Sequence, residues 1–369
     1  MKYYIISGEA SGDLHGSNLM KALYKEDPNA DIRFWGGDLM QTVGGTLVKH
    51  YKELAFMGFL EVLVNIPTIF KNISFCKKDI TKFNPDVLIF IDYSGFNLRI
   101  AKWAKKHNFR TNYYISPQVW ASRSSRVEKI KRDIDAMYVI LPFEKEFYKK
   151  HDYNVNFVGH PLIDAIADRQ QVDEHLFRKT HHLGDKAIIA LLPGSRQQEI
   201  KKMLSVLLSV VDNFTDYQFV IAGAPSQDFS FYQQFIKKEN VQFIDNKTYD
   251  LLSISTAALV TSGTATLETA LFKVPQVVCY KGSAISYQIA KRIITLKFIS
   301  LVNLIMDKEV VKELIQNDFT NANLETALTQ ILDKNHREKV YEAYYDLEQQ
   351  LGGKGASEKA AKLIVASLK

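Results

Sequence analysis

Short β-branched and apolar runs alternate with longer amphipathic stretches along the whole chain, and this alternation predicts parallel strands connected by helices. In the first half, strands are predicted at Tyr3 to Ser7, Ile32 to Trp35, Val87 to Ile91, Thr111 to Ile115, Ala136 to Ile140 and Phe157 to Val158. In the second half they are predicted at Ala187 to Leu192, Gln218 to Ala222, Gln242 to Ile244, Ala257 to Val260 and Val277 to Tyr280. The pattern restarts after about residue 165. Just before that point Gly159-His160-Pro161-Leu162 interrupts regular structure, and a polar helix rich in Asp, Arg and His follows. The expectation is an α/β chain with one domain over 1–164 and a second over 165–350. The glycines of Gly352-Gly353-Lys354-Gly355 precede a last helix over about 355–369, which either crosses back to the first domain or reaches a partner chain in a homodimer. Two open sheets facing each other would align the carboxyl ends of their strands along a central cleft, where doubly wound folds bind ligands. Function is therefore sought in the loops that follow strands.

Length agrees with two domains, because 369 residues exceed what one hydrophobic core usually holds. Two cysteines, Cys76 and Cys279, are too few and too far apart for a disulfide framework or a four-ligand zinc site and suit a reducing compartment. The opening Met-Lys-Tyr-Tyr-Ile-Ile-Ser-Gly is too short an apolar run for a signal peptide and reads as a buried first strand, so the expected location is the cytoplasm. No stretch offers the ~20 apolar residues of a membrane helix. Glu61 interrupts the apolar segment from Phe56 to Phe75, and Lys297 the one from Ile285 to Met306. A net charge of +6 inclines the surface toward anions such as lipid headgroups or nucleotides, though an ordinary solvated surface explains it equally well.

Four loops carry candidate chemistry. Ser7-Gly8-Glu9-Ala10-Ser11-Gly12-Asp13 follows the first strand and precedes a helix. It lacks the dinucleotide glycine fingerprint, and its carboxylates Glu9 and Asp13 would repel a pyrophosphate, so it suits sugar hydroxyls or an acceptor. Asp13 either serves there or caps its helix. Asp92 ends the strand Val87 to Ile91 and is a candidate general base; the alternative is a cap on the helix starting near Phe96. Leu192-Pro193-Gly194-Ser195-Arg196 opens a helix whose amides, with Arg196, suit a diphosphate, while Ser195 and Gln198 match a capping box. Thr261-Ser262-Gly263-Thr264-Ala265-Thr266-Leu267-Glu268 offers amides around a glycine for phosphate oxygens, and Glu268 could accept both ribose hydroxyls. Three other features are set aside. Asp133-Ile134-Asp135 has a metal-binding spacing but precedes its strand and is read as solvated. The histidines, His181-His182 included, show no ligand spacing, so no metal is expected. The basic run from Arg123 to Arg132 lacks aromatic interleaving, so no nucleic acid is expected.

Six strings in order along the chain resemble the lipid-A-disaccharide synthase family: Ser7 to Asp13, Tyr114-Ile-Ser-Pro-Gln-Val-Trp120, Gly159 to Leu162, Leu192 to Arg196 with Glu199-Ile200, Ser262 to Glu268, and Gly355-Ala-Ser-Glu358. The resemblance implies the GT-B arrangement of two Rossmann-like domains, with the acceptor on the first and the UDP-sugar on the second. It implies an inverting, metal-independent and cofactor-free hexosyltransferase. The implied reaction moves 2,3-diacylglucosamine from UDP-2,3-diacylglucosamine to 2,3-diacylglucosamine 1-phosphate. Asp92 then matches the catalytic Asp and Arg196 the leaving-group Arg. Gly194, Ser195, Ser262, Gly263, Thr264 and Glu268 fall on the donor side, and Glu9, Ser11, Asp13 and Gln118 on the acceptor side. Asn303 matches an Asn near the donor, although Val302 stands where the family usually has Pro. His15 also departs from the family pattern, and no function is attached to it.

The acyl chains of such substrates need an apolar path. Phe56, Met57, Phe59, Leu60 and Leu63 offer one, with Lys71, Lys77, Lys78 and Lys82 nearby, which suits peripheral contact with an anionic inner-membrane surface; a buried core helix is the alternative. Two other function classes stay open at this point, a UDP-N-acetylglucosamine 2-epimerase-like isomerase and a non-catalytic sugar-nucleotide binder.

Overall fold

A computed structural model of the chain describes residues 1–54, 66–122, 124–224, 227–282 and 296–369. They form two compact units, Met1–Ala167 with Leu351–Lys369, and Asp168–Gln350. The boundary falls just past the junction read from the sequence.

Unit 1 is built on β1 (Lys2–Ser7), β2 (Asp31–Gly36), β3 (Thr46–His50), β4 (Val87–Ile91), β5 (Thr111–Tyr114), β6 (Ala136–Val139) and β7 (Asn156–Phe157). All pairings are parallel and the order is β3-β2-β1-β4-β5-β6-β7. Because the sheet is covered on both faces, β4 is apolar at every position and β1 throughout its middle, from Tyr3 to Ile6. In β1, Tyr4 and Ile6 enter one core with Phe90 and Phe96, while Tyr3 and Ile5 enter the opposite core with Leu19 and Leu23. Unit 2 repeats the scheme with β8 (Ala187–Leu192), β9 (Tyr217–Gly223), β10 (Val241–Asp245), β11 (Ala257–Thr261), β12 (Gln276–Tyr280) and β13 (Lys312–Ile315), ordered β10-β9-β8-β11-β12-β13 and again parallel. Ile189 and Leu191 of β8 face one core, and Ile188, Ala190 and Leu192 the other.

Each unit is thus a doubly wound α/β fold. The strand order reverses direction between β1 and β4 in unit 1 and between β8 and β11 in unit 2, and such reversals open a crevice at the carboxyl ends of the strands. The four loops singled out above follow these four strands. Two strands were not expected, β3 and β13. Both lie at sheet edges, carry Lys, His or Glu, and are only partly buried, so neither shows a continuous apolar run.

The last helix, Ala356–Ala366, packs on the helix Ala10–Glu26: Ala360, Ala361 and Ile364 join the core that holds Leu19 and Leu23. Its start is held by Asp164, whose carboxylate accepts the Gly355 N–H at 2.6 Å and the Ser357 N–H at 3.3 Å. Gly159 lies against Leu351 and Gly352, and the His160 N–H donates to the Leu351 carbonyl at 2.9 Å. The closing segment therefore belongs to unit 1.

Candidate functional site

In unit 1 the chain leaves β4 through two consecutive non-glycine residues in left-handed conformation, Asp92 and Tyr93, each with φ 45°. Such backbone costs about 1–3 kcal/mol per residue and persists only where its surroundings hold it. Here the Asp92 carbonyl accepts hydrogen bonds from Asn97 Nδ2 at 2.9 Å and from the Tyr113 hydroxyl. Asn97, fully buried, also donates to the carbonyls of Ile6 and Ile91. The Tyr93 ring stacks on Phe96 and lies where a side chain at position 8 would have to go, which restricts that position to glycine.

The turn is clamped through its backbone, and the Asp92 carboxylate is left with the Tyr93 N–H as its one hydrogen-bonding influence. The helix Ser94–Lys106 has no side-chain cap, so the capping alternative for Asp92 is not realised. Burial holds the Asp92 carboxyl above the usual range, and the Tyr93 N–H partly opposes this. Glu9, in the loop after β1, is also raised, by burial and by the charge of Asp92. The fold brings Glu9 and Asp92 together, and Ser11 lies exposed in the first turn of the next helix.

Asp13 does not join them. It is buried, and its carboxylate accepts the backbone N–H groups of Gly37 at 2.7 Å, Leu39 at 3.0 Å and Met40 at 3.1 Å. It caps the helix Asp38–Val43 instead of its own, so both the acceptor role and the expected cap are corrected. Asp133 and Asp135 are corrected too. Asp133 is buried and paired with Arg132, while Asp135 accepts the Thr111 N–H and pairs with Lys105, so neither is merely solvated.

Gln118 is exposed on the loop after β5, which begins with Ile115 at φ 66°, a rare conformation for a β-branched residue. The anchor of this loop is a residue that sequence reading missed. Glu144 is buried, accepts the Ser116 hydroxyl, and accepts the N–H groups of Leu141 at 2.9 Å and Ile140 at 3.2 Å. Burial pushes its carboxyl up to about 7 against the pull of these donors. The sequence signal was slight: a Glu three residues after Leu141 at a helix start.

In unit 2, Gly194 after β8 has φ 99°, and a Cβ there would lie 2.5 Å from Glu199 Oε2. The helix Gln197–Leu207 starts with Arg196 at its cap, and no side chain caps it, so the Ser195–Gln198 capping box is not formed. Glu199 folds back from the first turn toward Gly194; burial raises its carboxyl, and the Arg196 charge and the nearby Ser195 and Arg196 amides pull it down. These amides, with the exposed Arg196 beside them, already lie close to one carboxylate.

After β11, Gly263 and Thr264 are exposed at the start of the helix Thr264–Leu271. Ser262 Oγ donates to the Ile299 carbonyl at 2.9 Å, and Thr261 Oγ1 is buried without a partner. The Tyr249 hydroxyl donates to Glu268 at 2.7 Å, and burial raises the Glu268 carboxyl against that pull. Arg169 lies over the Tyr249 ring, 5.0 Å from its centroid, and pairs with Asp250. A cavity of about 300 Å³ opens here, lined by these three residues and Asn246, Lys247 and Thr248.

Asn303 does not present its amide to this loop. It is fully buried; its Oδ1 accepts the N–H groups of Val310 and Val311, and its Nδ2 donates to the Val311 carbonyl and to Glu313. The expected direct donor contact is replaced by a role in holding the chain between Ser300 and Glu313.

Phe56, Met57, Phe59, Leu60 and Leu63 lie outside the described residues. The helix that follows, Ile66–Phe83, exposes Phe70 (63%) and Phe75 (46%) beside exposed Lys71, Lys78 and Lys82, while Lys77 lies over the Trp103 ring. Among the described residues no helix is long and apolar enough to cross a membrane.

Over residues 3–366 the chain matches the family described as lipid-A-disaccharide synthetase. It is 39% identical to the lipid-A-disaccharide synthase of Syntrophus aciditrophicus, covering 99% of this chain and 97% of that one. To the lipid-A-disaccharide synthase of Geobacter metallireducens it is 37% identical, covering 99% and 96%. Among solved structures it resembles a UDP-GlcNAc 2-epimerase from Neisseria meningitidis bound to UDP-GlcNAc, with a TM-score of 0.69 at 13% identity, covering 100% and 99%; this likeness concerns the fold.

Proposed function

The chain belongs to the lipid-A-disaccharide synthase family, and from that premise we propose how its loops divide the work of a glycosyl transfer. The donor is UDP-2,3-diacylglucosamine and the acceptor 2,3-diacylglucosamine 1-phosphate. Asp92 takes the proton of the acceptor 6-hydroxyl as that oxygen bonds to the anomeric carbon of the donor. The bond from that carbon to the diphosphate breaks, and UDP leaves with the electron pair. Attack opposite the leaving group inverts the anomeric centre and gives a β(1→6) disaccharide.

The observation that carries this reading is the Asp92 carboxylate: it lies at the end of a central strand on a clamped turn, bonded by no side chain, and burial makes it a stronger base than an ordinary Asp. Glu9, Ser11 and Gln118 serve the acceptor side. Departing UDP is met by Arg196 and the amides around Gly194, Ser195, Gly263 and Thr264, with Glu268 near the ribose. These donors supply the stabilisation of leaving-group charge without a metal ion. Glu199 lies beside the Ser195 and Arg196 amides where the diphosphate would take its place.

The exposed Phe70 and Phe75, flanked by Lys71, Lys78 and Lys82, support peripheral attachment to the cytoplasmic face of an anionic inner membrane. Reversing those three lysine charges should abolish sedimentation with anionic liposomes; unchanged sedimentation removes this attachment.

The reaction is tested by incubating the protein with both substrates and a chelator. Formation of the tetraacyl disaccharide 1-phosphate together with UDP is expected. Epimerised UDP-GlcNAc in the absence of acceptor would move the chain to the isomerase reading. Folded, UDP-binding protein that makes no product under any acceptor would leave only a sugar-nucleotide binder.

A further inference from the structure

Ile299, Ser300 and Asn303, ahead of the edge strand β13, are gathered by one carboxylate that the strand pattern did not single out. Glu313 lies in β13. Its Oε2 accepts the Ile299 N–H at 2.9 Å, and its Oε1 accepts the Ser300 N–H at 3.0 Å and Asn303 Nδ2 at 2.9 Å. Ser300 Oγ in turn accepts the Asn303 N–H at 3.2 Å, which caps the helix Leu301–Met306. Ile299 is thus held at its amide by Glu313, and its carbonyl receives the Ser262 hydroxyl. An unbroken series of hydrogen bonds runs from β13 through Glu313 and Ile299 to Ser262.

This series also limits what Ser262 does. Its hydroxyl proton is committed to Ile299, and its backbone N–H donates to the Cys279 carbonyl, so neither is available to a phosphate oxygen. Ser262 contributes by fixing the backbone from which Gly263 and Thr264 present their amides.

We propose that Glu313 is a positioning residue for the UDP-sugar: through Ile299 and Ser262 it sets the Gly263–Thr264 amides that face the diphosphate. This rests on the donor-loop reading above. A carboxylate suits the task because it accepts three donors at once, and charge-assisted bonds hold geometry more firmly than neutral ones. Removing it leaves two backbone amides without this acceptor and takes one of the Asn303 side chain's hydrogen bonds. Among the described residues β13 pairs only with β12, so the variant leaves the central strand pairings intact and the effect passes to the loop through Ile299 and Ser262.

The test is a double-mutant cycle on UDP affinity by calorimetry, with Glu313→Ala, Ser262→Ala and the double variant, beside steady-state kinetics. Glu313→Ala should weaken UDP binding by about tenfold, the scale of a lost charge-assisted bond, and Ser262→Ala by somewhat less, since it removes a neutral one. The double variant should be no weaker than the worse single, because residues in one network are not additive. KM for the UDP-sugar should rise with kcat little changed, and Glu313→Gln, which keeps one acceptor oxygen, should fall between native and Ala. Lys312→Ala, next to it on β13 and bonded to Glu309, should bind UDP as the native chain does. If Glu313→Ala does not fold, the same cycle is run with Glu313→Gln. Native UDP affinity in a Glu313 variant of lowered Tm would overturn the proposal and leave a brace for the sheet edge. So would losses that multiply in the double variant. A native chain that fails to bind UDP overturns the donor-loop reading itself, and is distinguished because it needs no variant.

Discussion

The chain leaves the centre of its two sheets in two different ways. After β4 the backbone turns through left-handed Asp92 and Tyr93, although glycine would adopt that conformation without strain. After β8 the turn uses Gly194, with φ 99°. In unit 2 the backbone itself is the useful group: the Ser195 and Arg196 amides lie near the Glu199 carboxylate, and a side chain at position 194 would collide with it. In unit 1 the backbone is locked from beneath by Asn97 and Tyr113, and what the turn presents is the Asp92 side chain. A strained non-glycine turn is worth its energy where the side chain acts, and a glycine turn suffices where the amides act. The carboxylates follow the same division: Glu268 accepts the Tyr249 hydroxyl within unit 2, whereas Asp92 is not bonded by any side chain.

The largest effect that could break this contrast comes from Asp92. Asp92→Asn should lower turnover by about 10²–10⁴-fold, the usual range for a general base, while UDP affinity stays native. Asp92→Gly should lose as much activity yet gain about 1 kcal/mol of stability by relieving the left-handed strain. If Asp92→Gly retained turnover, the strained turn would have no chemical purpose. In native protein the acidic limb of the rate–pH profile should lie above the usual Asp range, because the carboxyl must lose its proton to act as base.

Next is Glu144, which shapes the loop carrying Gln118. Its carboxyl is raised from 4.5 to about 7, so the folded chain binds more protons than the unfolded one between these values. Its contribution to stability is therefore greatest below the unfolded value and is lost as pH rises toward 7, by on the order of 3 kcal/mol. The difference between native and Glu144→Gln denaturation midpoints at pH 5 and pH 8 reads this term; equal pH dependence would deny it.

Arg196→Ala should weaken UDP binding by about 10- to 100-fold through loss of a charge-assisted contact, with the melting temperature unchanged because the side chain is exposed. The smallest effect is expected from Gly194→Ala. Its positive φ and the 2.5 Å approach to Glu199 should cost about 1–2 kcal/mol in chemical denaturation. Matching losses in UDP affinity for these two variants would tie the glycine turn to the anion site; native affinity in Gly194→Ala would separate them.

Much of the fold was legible because periodicity is local. Runs such as Val87–Ile91 and Ala187–Leu192 are apolar at every position and became central strands with those bounds, whereas β3 and β13, polar and half-buried at the edges, escaped notice. The candidate loops were legible for a related reason: in a doubly wound sheet a ligand crevice follows the strands at which the order reverses, and glycines or carboxylates just after apolar runs mark them.

The sequence by itself determined the parallel α/β class, the loops after β1, β4, β8 and β11, and the family. Only the tertiary structure decided what individual polar side chains do. Asp13 caps a helix that begins 25 residues further on, Asn303 is taken up by Val310, Val311 and Glu313, and Glu144 reaches back to Ser116. The reason is physical. Burying an apolar run requires only that some partner cover it, so its pattern is readable from the run alone, but a carboxylate or amide takes its role from the particular donors brought beside it, and those are chosen by strand order and loop path rather than by neighbours in sequence.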